Sequence, residues 1–183
     1  MDRYVYHFKP KNMVGDTLFP LFTLRETHPE IYAEHVKKYR GREDILEVRI
    51  PLLDCWWNEV LHLSPLHPQK VIDCWRARGL LEHANRPLPV EVYKVPVALL
   101  NESTTVCAQD YCYEVGKEYE GRLKFWHFRS AEYAPQADVG AEQIDYWLRQ
   151  FAVKEHILWY SHTMHVLAKQ TIDTRKCELI TCR

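Results

Sequence analysis

The chain has 183 residues, 46% of them hydrophobic and 27% charged, which is the make-up of one globular domain with a proper core. Disorder, collagen and disulfide-scaffold descriptions of the whole chain are excluded on composition. Lysine and arginine number 24 against 25 aspartate and glutamate, a formal net charge of -1, so the basic excess of a duplex nucleic-acid binder is missing.

Tyr4-Val5-Tyr6-His7-Phe8 is an aromatic and β-branched run closed by Lys9-Pro10, and reads as a first strand. Period-two alternation puts His7 on the face of Val5, with Tyr6 and Phe8 on the other. Residues 13–20 read as a loop. Thr27-His28-Pro29-Glu30 has the spacing of a capping box, and Tyr32, Val36 and Tyr39 follow at helical spacing up to Gly41. Leu46-Glu47-Val48-Arg49-Ile50 alternates apolar and charged residues before Pro51, as a half-buried strand does. In Trp56-Trp57 the two rings cannot face the same way on a strand, which leaves one of them for the surface or an interface.

Val60-Leu61-His62-Leu63 predicts another strand, running into Ser64-Pro65, where a hydroxyl can cap and a proline can open a helix. Val71, Ile72 and Trp75 give that helix its buried face, and Gly79 ends it. Val90-Glu91-Val92-Tyr93-Lys94-Val95 before Pro96 predicts a strand, as do residues 104–115 and 122–128. Ile144, Trp147, Leu148 and Phe151 mark an amphipathic helix. Residues 157–160 and 178–181 complete the expected strands. Strands and helices are mixed without regular alternation, so the expected class is α+β, a single domain over 1–183 with twisted mixed or antiparallel sheets and flanking helices.

No Gly-x-Gly-x-x-Gly, Walker loop, Gly-x-Ser-x-Gly or His-Glu-x-x-His motif occurs, and six glycines leave few places to wrap a phosphate. The six cysteines, at 55, 74, 107, 112, 177 and 182, form no Cys-x-x-Cys pair and read as buried reduced thiols. No apolar run reaches bilayer length, and Met1-Asp2-Arg3-Tyr4 lacks the features of a signal peptide, so the expected compartment is the cytoplasm and no membrane partner is expected. Among ten histidines, His62 with His67 and His162 with His165 are the closest pairs. On a helix, His162 and His165 would share a face and could form a two-histidine edge of a metal site, though no third ligand is evident. His7, mid-strand, reads either as a partly buried histidine bonded to backbone or as one that bonds a ligand hydroxyl from the floor of a cleft.

Tyr6-His7-Phe8, followed by a short loop and Leu18-Phe19-Pro20-Leu21, resembles the opening of the ADP-ribosyltransferase superfamily. Val60-Leu61-His62-Leu63-Ser64-Pro65-Leu66-His67-Pro68 resembles a second element of that superfamily, in the form found in DNA-modifying ADP-ribosylating toxins, and Val92-Tyr93-Lys94-Val95-Pro96 suits the same fold. The resemblance spans about the first half of the chain. It implies an ADP-ribosyltransferase-like fold that takes NAD as substrate, with His7 on the ribose and Ser64 in the nicotinamide pocket. Tyr6, Phe8, His62 and His67 would line the nucleotide, and no metal is implied. The glutamate that completes such a site in the family has no recognisable motif here; Glu114, Glu118, Glu132 and Glu155 are all available. The acceptor of the transfer is not indicated. Two other readings stand beside this one. The first is a non-catalytic interaction module with an aromatic surface, and the second is a metal-dependent enzyme built on His62, His67, His162 and His165.

Overall fold

A computed structural model describes residues 3–41, 43–83, 87–110, 123–153 and 157–183. The chain is a single compact α+β protein. Its elements are β1 (Tyr4–Phe8), β2 (Thr17–Leu18), α1 (Leu21–Thr27), α2 (Pro29–Val36), β3 (Arg49–Ile50), β4 (Cys55–Trp56), β5 (Leu61–Leu63), α3 (Pro68–Ala77), β6 (Val90–Pro96), β7 (Thr105–Asp110), β8 (Leu123–His127), α4 (Ala141–Val153), β9 (Met164–Ala168), β10 (Ile172–Asp173) and β11 (Glu178–Cys182). One sheet has the order β1-β6-β11 and a second the order β5-β9-β7-β8; β2 pairs with β10 and β3 with β4. Every pair of these strands is antiparallel.

The two larger sheets face each other. Alternation along β6 explains how: Tyr93 and Val95 point to the second sheet, where they meet Leu61, Leu63, Cys107, Val166 and Ala168. Val90 and Val92 point the other way, to a core closed by Val71, Ile72 and Trp75 of α3 and Tyr146, Trp147 and Phe151 of α4. The second sheet is covered in turn: Val106, Ala108 and Leu167 pack outward against Leu21, Tyr39, Ile45, Ile50 and Trp57. The layers therefore run helices, sheet, sheet, then the helical and turn-rich segment 21–60. At one edge the sheets are joined by backbone, where the Tyr6 amide donates to the Ser64 carbonyl at 2.8 Å and the Ser64 amide donates to the Tyr6 carbonyl at 2.9 Å.

Six local expectations are corrected. Residues 43–47 form a 3₁₀ turn and only Arg49–Ile50 is strand. Ile45 and Ile50 are the residues driven into the core there, and their spacing of five suits a turn better than an alternating strand. Residues 157–160 make turns instead of a strand, because α4 takes their carbonyls: Gln143 Nε2 donates to the Trp159 carbonyl at 2.8 Å and Trp147 Nε1 to the Leu158 carbonyl at 2.9 Å. Thr27 is the last residue of α1 and its hydroxyl donates to the Thr23 carbonyl, so no capping box forms and α2 starts at Pro29 from His28. Pro68, not Pro65, opens α3, with His67 as the cap. His162 and His165 are not on a helix: His162 sits in a turn at φ 55 and His165 lies in β9. Within the predicted loop 13–20, Thr17–Leu18 is a short strand. The end of the predicted strand 104–115, with Cys112, lies outside the described residues.

Candidate functional site

β1 presents two different faces. Opposite Tyr93, and on the same side as Val5, His7 faces a pocket of about 100 Å³. His62 of β5 meets it there, because the joined sheet edges bring the two strands together. The loop between β1 and β2 contributes Asn12 and Thr17, and the helical cover contributes His35 of α2 with Lys38 and Tyr39 just beyond it. Leu18, Leu21 and Leu24 form apolar wall. Among the described residues that line the pocket, none is an aspartate or glutamate.

The position of His62 is determined by its own hydrogen bond. Its Nε2 lies 2.9 Å from the Trp57 carbonyl, which can only accept, so Nε2 carries the proton and Nδ1 is the lone-pair atom of the neutral ring. The imidazole also stacks at a tilt on Trp57, 4.6 Å between centroids. Leu167 is its partner in β9, and His165, two residues away on the same face, donates from Nε2 to the Tyr160 carbonyl at 3.0 Å. Burial pushes the His62 pKa down to about 3, helped by the positive potential of His165, Lys38 and His7. Burial, then Lys38, also holds His35 below the ordinary histidine value. At neutral pH His62 is therefore an uncharged hydrogen-bonding group.

Tyr6, Phe8 and His67 belong to the opposite face of β1. Tyr6 and His67 are in ring contact at 4.8 Å, and His67 Nδ1 accepts from the Gln69 amide at 3.1 Å. Burial, Lys94 and Lys70 lower the His67 pKa. Phe8 packs edge-on against Trp159 at 5.0 Å. Ser64 is buried between the two groups; its hydroxyl accepts from the Leu66 amide at 3.1 Å and does not line the pocket. The structure thus gathers His7 with His62, and separately Tyr6 with His67.

Glu132 is exposed, in a turn whose carbonyls at Ala131 and Tyr133 accept from Arg3, beside the start of β1 and not its His7 end. Glu114, Glu118 and Glu155 lie outside the described residues. Among the described residues no three histidine, cysteine, aspartate or glutamate side chains converge as a metal site would require. The five cysteines among the described residues are free thiols, and burial pushes Cys107 and Cys177 up to about 11, which leaves them poor nucleophiles.

Sequence reasoning missed His35, Lys38, Asn12 and Thr17. A signal was present for two of them: His35 and Lys38 stand three apart on the predicted helix, off the stripe of Tyr32, Val36 and Tyr39. No family model matches the chain, and no curated protein or solved structure matches it.

Proposed function

We propose that the protein binds NAD, or a related nucleotide, at the His7–His62 pocket and acts as an ADP-ribosyltransferase-like protein. One observation carries the reading: His7, which the resemblance assigns to the ribose, opens into a pocket with His62, the histidine of the second resembling segment. Polar groups from Asn12, Thr17 and His35 surround them, as a sugar with several hydroxyls requires.

The chemistry asks little of acid–base groups. The bond between C1′ of the ribose and the nicotinamide nitrogen breaks, and its electron pair neutralises the ring nitrogen. An acceptor nucleophile supplies the pair for the new bond to C1′ and gives up its proton. The protein's part is to hold the ribose and to set an anion near the developing positive charge. His7, as a hydrogen-bonding group on the ribose, supplies the first; for the second, Glu132 stands away from the pocket, and Glu114, Glu118 and Glu155 lie outside the described residues. The acceptor is left open, with duplex nucleic acid disfavoured by the net charge of -1. The compartment proposed is the cytoplasm; for the membrane, no helix among the described residues is long and apolar enough to cross one.

The test is a thermal shift with NAD. NAD should raise the melting temperature of the wild type, and His7→Ala should abolish the rise while keeping the wild-type circular dichroism. Absence of any shift with NAD or ADP-ribose sinks the reading and favours an interaction module, for which the exposed Trp56, with the Arg49 guanidinium 5.1 Å above it, is the specific surface.

A further inference from the structure

We propose that the pocket is a proton-coupled oxyanion site: it takes one phosphate-like group, and a histidine in its wall gains a proton as the group enters. The proposal deepens the nucleotide reading and rests on it only for the identity of the molecule that carries the oxyanion.

Size comes first. At about 100 Å³ the pocket is smaller than the roughly 150 Å³ cavity that holds a benzene ring. A single tetrahedral group fits that volume. Chemistry points the same way. The polar wall consists of His7, His35, His62, Lys38, Asn12 and Thr17, all able to donate, with no carboxylate among the described lining residues to repel an anion.

The coupling follows from what surrounds the imidazoles. His62 faces His165 from β9, Lys38 from the segment after α2 and His7 from β1, so the potential from every one of these directions is positive or neutral. His35 faces Lys38 and Glu34, and Glu34 is already paired with Lys37 at 2.6 Å. Without an anion, a proton on His62 works against burial and against Lys38. With an anion in place, the same proton is attracted. The pKa is higher in the bound state than in the unbound state, so binding takes up a proton and affinity rises as pH falls. Nδ1 of His62 is the atom that receives it, since Nε2 already holds one for the Trp57 carbonyl. Protonated Nδ1 then donates to the anion, a charge-assisted hydrogen bond.

Inorganic sulfate is the probe, because it stays doubly charged across the range and any pH dependence belongs to the protein. Calorimetric titration of the full chain at about pH 6, 7 and 8 should show affinity rising up to about tenfold per unit of falling pH, the limit for one proton. Titrations in two buffers of different ionisation enthalpy should report that proton directly. His62→Gln should remove the pH dependence. If that variant fails to fold, His35→Gln, on the half-buried side of α2, should still weaken sulfate binding. Equal sulfate affinity across the range, or no sulfate binding by folded wild type, overturns the proposal. Two further arms identify the source of the oxyanion: ADP-ribose displacing sulfate supports a nucleotide pyrophosphate, and its failure to displace bound sulfate supports a free anion. Proton-coupled sulfate binding without NAD binding removes the transferase reading and leaves this one intact. NAD binding that sulfate does not oppose does the reverse.

Discussion

The two outer layers of this protein are built in opposite ways. On one side, α3 and α4 close an aromatic core in which Trp75 meets Trp147 at 5.1 Å, Phe151 at 5.7 Å and Trp159 at 4.7 Å, all edge-on. Trp75 and Trp147 are fully buried, and the indole of Trp147 is tied to the Leu158 carbonyl. On the other side, residues 21–60 run through short helices and 3₁₀ turns, and α2 buries no residue completely. The same strand feeds both layers, since β1 turns Phe8 to the aromatic side and His7 to the pocket. The difference teaches a division of labour. Regular helices with large interlocking rings hold the fold, and that leaves the looser layer able to keep imidazoles and a small cavity where packing alone would favour leucine.

Three measurements break or sharpen that contrast. Trp75→Ala should have the largest effect, a loss of about 3–5 kcal/mol in urea unfolding, because it removes the ring on which three others converge. A loss below about 1 kcal/mol would mean that the aromatic layer is not the stabilising one. Next comes the pH dependence of stability. The folded-state pKa of His62 is about 3, against an ordinary value of about 6.5. Between these values the unfolded chain binds the proton and the folded one does not, so stability is full above about 6.5 and falls as pH drops toward about 3. Urea unfolding across that range should show the decline, and His62→Gln should flatten part of it; an unchanged slope would move the effect to other groups. The smallest effect is expected at Trp56, which is 43% exposed with Arg49 above its ring and Arg49 in turn paired with Asp54. Trp56→Ala should cost within about 1 kcal/mol. A larger loss would show that the pocket-side layer carries stability as well.

Much of this contrast is legible in local pattern. The alternation in Tyr4-Val5-Tyr6-His7-Phe8 assigns His7 and its neighbours to opposite faces, as found. The spacing of Val71, Ile72 and Trp75 gives the inward face of α3, and Gly79 ends the helix region at φ +66. Trp57 is buried and Trp56 exposed, so one ring of the pair does reach the surface, although Trp57 opens a 3₁₀ turn and is not on the strand that ends at Trp56. Where pattern failed, a distant partner had intervened. Residues 157–160 have strand-like composition, but Gln143 and Trp147, from the helix before them, capture their carbonyls. The hydroxyl of Ser64 looks available in sequence and is taken by the Leu66 amide two residues on.

The sequence by itself determined the class of the protein and the faces of its main strands and helices, because periodicity is a property of neighbouring residues. Only the tertiary structure decided that Tyr6 and His67 would pair on the far side, and that His35 and Lys38 would complete the wall. The reason is physical: a pocket is formed by residues far apart in the chain, and the two-bond junction between Tyr6 and Ser64 that brings β1 beside β5 leaves no trace in the spacing of either segment.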